Sequence, residues 1–468
     1  MHRGRCAVTH LRAQYFDTPE RNLAAAGFVL RLRREGRRWV QAVKGPGEGV
    51  LSRLEHEVDL GAGNAAPSID PMRHARTPGF AAFEAALAAR ADALAAMFEV
   101  DVRRTHRIVH SRGAAIEIAL DEGRIASAGA AVPVCEMEFE LLSGPLDRLT
   151  QLAVRWAARH GLWLDVRPKS ERGWLLVRGE AASPAARGKA PSLSADLTPD
   201  AALRQCMGAA LAQLLPNAAS IAAGAGSADH VHQARVALRR ALSVLREFGA
   251  WSPDVDPGWT VRLQSAFRAL GQTRDRDVLA GWLLPALQQA GAPALQAVAP
   301  PAATDPGGAL RAPDLTCCLI DQLAFAHGDP ASGPAPSEPA DLLALGAPIL
   351  ARLHRRLRRA GQAFDTLDDV QRHRARKQLK RLRYCAESLS SLWPTRAWQP
   401  YAQRLKNAQD ALGRVQDASL AQAVYSAQPG TDPHAWFALG WLAAHQSEWW
   451  ADAGQALREL GKRPKFMR

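Results

Sequence analysis

The segment HQARVALRR at residues 232–240 decides the organisation of the C-terminal half, because it recurs as HRARKQLKR at residues 373–381. A second landmark follows each copy in the same order: residues 270–275 read LGQTRD and residues 412–417 read LGRVQD. The two basic segments are 141 residues apart and the two LG segments are 142 residues apart, so both landmarks repeat at nearly the same offset. We therefore predict that the C-terminal half is a duplicated unit in which each copy carries a row of cations.

Each copy of the basic segment predicts a helix with a cationic face and an apolar face. Successive helical residues turn by about 100°, so side chains three and four positions apart share a face. The cationic positions are His232, Arg235, Arg239 and Arg246 in the first copy and His373, Arg376, Lys380 and Arg383 in the second. Leu238, Leu242 and Leu245 fall on a different face, which predicts a side that packs into a core. Converging cations repel one another, and an anionic ligand would relieve that repulsion.

The charge of the whole chain also favours an anionic partner, because the formal net charge is +13 at pH 7. A flexible phosphate chain fits the cationic rows, and its binding would weaken as the salt concentration rises. One alternative is a solvated helix face without a ligand. Nucleic acid is a second alternative, but aromatic residues make up only 6% of the chain. Tyr384 alone lies among the cations, so a base-stacking platform is not predicted.

Length and composition predict a cytoplasmic protein of two or three domains. The chain has 468 residues, of which 47% are hydrophobic and 22% charged, as in ordinary globular proteins. Its six cysteines form no CxxC pair, which predicts free thiols in a reducing compartment. We find no apolar stretch of the roughly 18 residues that a membrane span needs. The N-terminus shows no hydrophobic signal core.

The pattern along the chain predicts two domains. Residues 1–180 contain short alternating runs separated by turn signals, which are typical of β-strands. Residues 181–195 are rich in alanine, serine and proline and predict a linker. Residues 196–468 carry leucine and alanine at helical spacing, with the two repeats at about 196–288 and 341–468.

Charged residues stand two positions apart on several of the predicted strands, so they share a strand face. The cations are Arg31, Arg33, Lys44, Arg104, Lys169 and Arg172, and the acids are Glu55, Glu57, Glu117, Asp121, Glu136 and Glu138. Strands with one face in water give this pattern, and so does a barrel with a charged interior. In a barrel the acids would hold a hard divalent cation, while arginine and lysine would hold phosphate oxygens. Those two functions are most of what phosphoryl transfer to water requires.

Residues 196–468 resemble the CHAD domain, the conserved histidine α-helical domain, in both basic segments and both LG-x-x-(R/Q)-D landmarks. The resemblance implies two four-helix units around a basic groove that binds inorganic polyphosphate. The residues expected to bind it are His232, Arg235, Arg239, Arg240, Arg246, His373, Arg376, Lys380, Arg381, Arg383 and Tyr384. The alternative for the two histidines is a core or capping role.

Residues 10–178 resemble the CYTH superfamily, the triphosphate tunnel metalloenzymes. The resemblance rests on YFDTP at residues 15–19, on LRLR at residues 30–33 and on the charged strand positions. Members joined to a CHAD domain are usually inorganic triphosphatases that use Mg²⁺ or Mn²⁺. The resemblance therefore implies an antiparallel β-barrel with a charged tunnel.

The charged positions then divide by their implied roles. Lys44, Glu55, Glu57 and Arg104 are expected to be catalytic; Arg31, Arg33, Lys169 and Arg172 to bind substrate phosphate; and Glu117, Asp121, Glu136 and Glu138 to hold the metal. One departure from the family pattern stands out, because the chain contains no Glu-x-Glu-x-Lys segment. The barrel is therefore expected to lack its first strand.

The predicted fold class is α+β, an antiparallel β-barrel or tunnel, followed by an all-α bundle of two four-helix repeats. The predicted function is a metal-dependent inorganic triphosphatase, which cleaves tripolyphosphate to pyrophosphate and phosphate, with a polyphosphate-binding helical domain. The alternative is a catalytically inactive protein that binds polyphosphate, including polyphosphate granules in the cytoplasm.

Overall fold

The chain forms two compact units, a β-sheet unit and a helical unit. They comprise Met1–Pro184 with Leu319–Gly328, and Ala185–Cys318 with Asp329–Arg468. An antiparallel sheet followed by a helical region confirms the predicted fold class. The computed structural model describes residues 2–3, 6–47, 54–87, 90, 93–271, 279–292, 305–328, 341–426, 435–461, 464 and 466.

The sheet of the first unit is antiparallel throughout. Its strands are β1 His2–Arg3, β2 Ala7–Asp17, β3 Val29–Glu35, β4 Arg38–Gly45, β5 Leu54–Ala62, β6 Ala95–Ser111, β7 Ala114–Ser127 and β8 Ala130–Ser143. Their order in the sheet is β5-β4-β3-β2-β6-β7-β8, and β1 pairs with β6. Within the described residues β5 and β8 are the end strands and do not pair, so the sheet is open rather than a closed barrel. The helices are α1 Asn22–Ala25, α2 Phe80–Leu87, α3 Leu146–His160 and α4 Lys169–Arg178.

Two tight hairpins join the three long strands β6, β7 and β8. Their turns are Arg112-Gly113 and Ala128-Gly129, and all four residues have positive φ angles. Two-residue turns of this kind match the right-handed twist of the strands they connect. The hairpins therefore set the register that aligns the charged side chains of the three strands.

One face of the sheet, here called the inner face, carries Tyr15, Arg31 and Arg104. Tyr15 lies opposite both Arg31 on β3 and Phe98 on β6, and residues opposite each other share a face. Helix α4 packs on this face, because the rings of Phe98 and Trp174 meet with their centroids 5.4 Å apart. Gly173 permits this approach, since a Cβ there would lie 2.1 Å from the Phe98 ring. Helix α4 can therefore bring its own charged residues to the inner face.

The second unit is helical, and its two basic segments lie on α6 and α12. Helix α5 packs against α6, α6 against α12, and α12 against α13. None of the helices in the described part of the chain is long and apolar enough to cross a lipid bilayer. The helices are α5 Pro199–Ala222, α6 Ala228–Phe248, α7 Gly258–Ala269, α8 Leu284–Gln289, α9 Pro306–Arg311, α10 Pro313–His327, α11 Leu342–Gln362, α12 Asp369–Ser388, α13 Thr395–Ser426 and α14 Ala435–Arg458. Helix α10 begins in this unit, and its residues from Leu319 onward belong to the first.

The two repeat helices begin in the same way. A capping box joins Ser227 to His230 at the start of α6, and another joins Asp368 to Gln371 at the start of α12. These caps occupy equivalent positions of the two repeats and satisfy backbone N–H groups that the helix leaves free. The duplication therefore extends from the cationic face to the helix ends. Of the first LG landmark, residues 272–275 lie outside the described residues.

The predicted linker ends in a stretch that is held against the helical unit. The Asn217 side chain accepts a hydrogen bond from the Ala186 backbone N–H at 3.0 Å and donates one to its carbonyl at 2.9 Å. Ser391 donates to the Leu193 carbonyl at 3.0 Å. Residues 185–195 form neither helix nor strand, and these bonds fix their path.

Candidate functional sites

Strands β3, β4 and β5 bring together a cationic cluster on the inner face. Lys44 lies opposite Glu55 in the β4–β5 register, and its Nζ is 2.8 Å from Glu55 Oε1. Glu57 Oε1 accepts hydrogen bonds from Arg31 Nη2 at 2.9 Å and Arg33 Nη2 at 3.2 Å. Arg33 Nη2 also lies 2.5 Å from Glu35 Oε1, so three cations and three carboxylates interleave in this cluster.

The electrostatics of this cluster keep Glu55 ionised. Burial alone would raise the pKa of Glu55, but Lys44, Arg31 and Arg33 hold it below its ordinary value. Burial lowers the pKa of Lys44, and Arg31 and Arg33 lower it further, against the opposing effect of Glu55. The three cations therefore repel one another, and anionic phosphate oxygens suit their position.

Strands β6, β7 and β8 form a second cluster around a buried carboxylate. Arg104, Asp121 and Glu136 stand in one row across the three strands. Arg104 donates two hydrogen bonds of 2.7 Å to the two carboxylate oxygens of Asp121, whose side chain is 1% exposed. The same guanidinium also contacts Glu138, two residues beyond Glu136 on the same face of β8.

Three carboxylates in this cluster, Asp121, Glu136 and Glu138, are here called the acidic triangle. They offer one oxygen each, and these oxygens lie within 4.8 Å of one another. Lys169, the first residue of α4, places its Nζ 2.7 Å from Asp121, 2.5 Å from Glu136 and 2.7 Å from Glu138. Arg172, one helical turn later, contacts Glu136. Helix α4 therefore brings two cations to the triangle.

The cations keep the acidic triangle charged. Burial alone would raise the pKa of Asp121, but Arg104 and Lys169 hold it below its ordinary value. The pKa of Glu138 is held down in the same way, by Lys169 and Arg104. Ionised carboxylate oxygens are the ligands that Mg²⁺ and Mn²⁺ prefer, so the chemistry and spacing of the triangle fit a hard divalent cation.

Glu140 on β8 links the two clusters electrostatically. Its pKa is raised first by burial and then by the charges of Glu117 and Glu55. Glu55 belongs to β5, the opposite end strand, so Glu140 responds to charges from both end strands.

The structure separates the residues predicted for the sheet unit into two groups. Glu117 lies apart from the triangle, where its Oε1 is 3.5 Å from His106 Nδ1. Arg104, grouped with Glu55 and Glu57 by its expected catalytic role, pairs with the acidic triangle. The sequence did not predict Tyr15 as a neighbour of Arg31, although the YFDTP stretch could have pointed to it.

In the helical unit, α6, α12 and α13 enclose a cavity of about 400 Å³, here called the central groove. Its basic wall comes from α6 and α12, and its other wall comes from α13. Equivalent cations of the two repeats therefore converge on one space. The lining consists of His232, Arg235, Val236, Arg239, Arg376, Lys380, Tyr384, Gln409, Asp410, Gly413, Arg414 and Asp417.

Phe267 on α7 supports two of the groove arginines. The guanidinium carbons of Arg235 and Arg239 lie 4.4 and 4.7 Å from its ring centre. Arg235 also donates to the Phe267 carbonyl at 3.0 Å. Gly271, in the first LG landmark, gives Arg235 room, because a Cβ there would lie 2.8 Å from Arg235 Nη1. Cation–π contacts of this kind hold an arginine in place while its charge stays available.

The α13 wall of the groove is partly acidic, a feature that was not predicted from the sequence. Asp410 and Asp417 both line the groove, and Asp417 Oδ1 lies 3.8 Å from Arg376. The two acids stand two helical turns apart, so they share a helix face. The seven-residue spacing of Asp410 and Asp417 could therefore have predicted an acidic helix face from the sequence.

A smaller cavity of about 260 Å³ is lined by both Arg376 and His373. His373 Nδ1 contacts the Gln416 side chain. Burial lowers the pKa of His373, with Lys377, Arg376 and Arg239 adding to the effect and Gln416 opposing it. Burial and the neighbouring cations therefore disfavour the charged form of this histidine.

Five of the residues predicted to bind polyphosphate do not line the central groove: His373, which lines the smaller cavity, and four arginines. Arg240 is buried and donates to Gln213 at 2.9 Å. Arg383 pairs with Glu387 at 2.6 Å. Arg246 and Arg381 both lie against Glu247, at 3.9 and 3.3 Å. Arg240 and Arg381 thus pair with groups on other helices, whereas Arg383 and Arg246 pair with acids of their own helix.

The geometry defines a two-domain protein: an open antiparallel sheet with opposed cations and acids on one face, and a duplicated helical bundle with a mostly basic groove. Residues 6–173 match the CYTH domain, and residues 205–426 match the CHAD domain. The chain therefore joins a CYTH domain to a CHAD domain. Both resemblances drawn from the sequence are confirmed.

Two individual proteins can be compared with the chain. A Haemophilus influenzae protein described as inorganic triphosphatase is 28% identical over 165 residues, which are 35% of this chain and 44% of that protein. The match thus spans less than half of the relative's length. The crystal structure of the CHAD domain from the plant Ricinus communis is 24% identical with a TM-score of 0.49, and the match covers 60% of this chain and 99% of that one.

Proposed function

We propose that the sheet unit is a metal-dependent inorganic triphosphatase and that the helical unit binds inorganic polyphosphate. The observation that carries the first part is the presence of two kinds of ligand-binding group on the inner face. Arg31, Arg33 and Lys44 cluster at one end of the sheet, and the acidic triangle lies towards the other. A short phosphate chain with a divalent cation complements both, because its oxygens suit the cations and its metal suits the carboxylates.

The acidic triangle would hold the metal, because its donors are carboxylate oxygens at close spacing. A bound Mg²⁺ or Mn²⁺ would supply Lewis-acid charge to the phosphate oxygens of the substrate. Arg104 holds Asp121 by two hydrogen bonds and so fixes the orientation of that carboxylate. A hydrogen bond to a metal ligand from a group that does not itself bind the metal tunes how well that ligand binds.

Arg31, Arg33 and Lys44 would hold the phosphate oxygens of the substrate. Their present partners, Glu35, Glu55 and Glu57, keep them in place. Fixed cations of this kind stabilise the negative charge that develops as the phosphoanhydride bond breaks. The Haemophilus relative described as inorganic triphosphatase supports this substrate class.

The proposal for the helical unit rests on the convergence of the two repeats. Arg235 and Arg239 of the first repeat and Arg376 and Lys380 of the second line one groove. Lys380 is 7% exposed, so its ammonium is largely removed from water. Clustered cations of this kind bind a polyanion with release of counterions and strong salt dependence.

Phosphate release from tripolyphosphate tests the enzymatic part. The full chain should release phosphate with Mg²⁺ or Mn²⁺, and EDTA should stop the reaction. Glu136→Gln should remove most of the turnover, whereas Glu459→Gln, at an exposed site in the helical unit, should not. Polyphosphate binding without any phosphate release would contradict the triphosphatase and leave the inactive binding protein as the function.

A further inference from the structure

Among the cations of the described residues, Lys169 alone contacts all three carboxylates of the acidic triangle. Its Nζ lies 2.5 to 2.7 Å from one oxygen of each of the three carboxylates. Arg104 contacts two members of the triangle and Arg172 contacts one. The Lys169 side chain is only 12% exposed, so this ammonium is enclosed by its partners. The Lys169 ammonium is therefore the central cation of the acidic triangle.

A divalent cation and the Lys169 ammonium compete for the same place. Metal ions of this class bind carboxylate oxygens at about 2.0–2.6 Å, close to the distances that the ammonium keeps. Two cations a few ångströms apart repel each other strongly when they are shielded from water. A metal can therefore enter the triangle only when the Lys169 nitrogen leaves it.

The side chain is able to leave without disturbing the fold. Lys169 is the first residue of α4, and its backbone is fixed by the packing of Trp174 against Phe98. The flexible four-carbon stem of lysine allows the ammonium to move while the helix stays in place. Arg104, by contrast, is held in two hydrogen bonds by one carboxylate.

We propose that Lys169 is a tethered cation that occupies the acidic triangle in the metal-free protein and moves onto the phosphate of the substrate when a metal enters. This inference rests on the proposed function of the sheet unit. Lys169 then lowers the affinity for metal alone and raises the affinity for triphosphate once metal is bound. The metal and the substrate are thereby coupled through one side chain, so each favours the binding of the other.

Mn²⁺ binding to the full chain tests the exchange without any turnover. Free Mn²⁺ is measured by its electron paramagnetic resonance signal during titration of the wild type and of Lys169→Met. The variant should bind Mn²⁺ about tenfold more tightly, because the competing charge is gone. Lys169→Arg restores a cation and should return the affinity towards the wild-type value. Lys406→Met removes an exposed lysine of the helical unit and should leave Mn²⁺ binding unchanged.

Thermal melting gives a second readout, because the shift in melting temperature caused by Mn²⁺ is taken for each protein relative to its own metal-free value. Lys169→Met leaves three carboxylates with fewer counter-charges, so Mn²⁺ should raise its melting temperature more than that of the wild type. At saturating Mn²⁺ the same variant should show a raised KM for tripolyphosphate.

The outcomes separate this inference from the proposed function. Equal Mn²⁺ affinity in the wild type and Lys169→Met overturns the role of Lys169 and leaves the triphosphatase intact. Absence of Mn²⁺ binding in every variant overturns both the inference and the metal dependence. The inference is supported if Lys169→Met binds Mn²⁺ more tightly than the wild type and this gain disappears when Glu136→Gln is added to the same protein.

Discussion

Arg381 Nη1 of the second repeat lies 3.3 Å from Glu247 Oε1 of the first repeat. Arg240, which occupies the equivalent position of the first repeat, makes the reciprocal pair with Glu387 of the second at 3.5 Å. Neither arginine lines the central groove. Each repeat therefore uses the last cation of its basic segment to hold the other repeat, and the preceding cations to line the groove.

Removal of the Glu247 charge should destabilise the helical unit. Its side chain is 4% exposed and contacts Arg352 at 2.5 Å as well as Arg381. Glu247→Gln leaves both arginines without their carboxylate, and we expect a loss of about 2–3 kcal/mol in the free energy of unfolding. Urea unfolding followed by circular dichroism measures the change.

The matched control for this prediction is Asp452→Asn, which breaks a pair with Arg414 at 3.3 Å. Both partners there are about half exposed, 52% and 51%, so the expected loss is at most about 1 kcal/mol. If the two variants unfold at the same urea concentration, the cross-repeat pair has no special role.

Neutralisation of the groove should abolish polyphosphate binding. The variant carries Arg235→Gln, Arg239→Gln, Arg376→Gln and Lys380→Gln. We expect the affinity to fall about 100-fold or more, and the slope of log affinity against log salt to decrease by up to about 3. Fluorescence anisotropy with labelled polyphosphate at several salt concentrations measures both quantities.

The control removes the same number of charges from an exposed helix face. Arg355, Arg356, Arg358 and Arg359 lie on α11 and are exposed, and their change to glutamine should have a small effect. Equal losses in the two variants would mean that net charge, rather than the groove, attracts the ligand. Displacement of polyphosphate by an equal concentration of DNA would favour a nucleic-acid partner instead.

Asp417→Asn should strengthen polyphosphate binding. The carboxylate lines the groove and lies 3.8 Å from Arg376, so it competes with an incoming phosphate for that cation. Loss of one competing charge near the surface of the groove should raise the affinity by a few-fold. Glu459→Gln changes an exposed acid of the helical unit outside the groove and serves as the control. Weaker binding by Asp417→Asn would show that the acid positions Arg376 instead.

His74 should make the sheet unit less stable in acid. The side chain is 1% exposed and lies 2.8 Å from His56, nitrogen to nitrogen, and 3.0 Å from Gln41. Burial, with smaller contributions from His56 and Arg73 and against the opposing effect of Asp70, lowers its pKa from 6.5 to about 4. The charged form is thus disfavoured in the folded protein.

The unfolded chain binds more protons than the folded chain between these two pKa values. Stability is therefore complete above about pH 6.5 and falls as the pH drops towards 4, by on the order of 2–3 kcal/mol. Urea midpoints between pH 4 and 8 should show this slope in the wild type and a flatter profile in His74→Gln. An identical profile in the two proteins contradicts the assignment to His74.

The sequence by itself determined the architecture. The spacing of cations and leucines on residues 232–240 and 373–381 predicted two equivalent helices, and α6 and α12 follow with matching capping boxes. Alternation of charged and apolar residues predicted which strand positions share a face, as the Arg104–Asp121 register illustrates. These properties depend on near neighbours along the chain, so periodicity alone predicts them.

Only the tertiary structure decided how the charges are distributed between ligand sites and internal pairs. The basic row predicted one function for Arg239 and Arg240, yet the first lines the groove and the second is buried against Gln213. Likewise Glu117 and Asp121 share a strand face, but Asp121 alone joins the acidic triangle. Partners such as Lys169 come from distant parts of the chain, and local periodicity contains no information about which distant segment packs beside a residue.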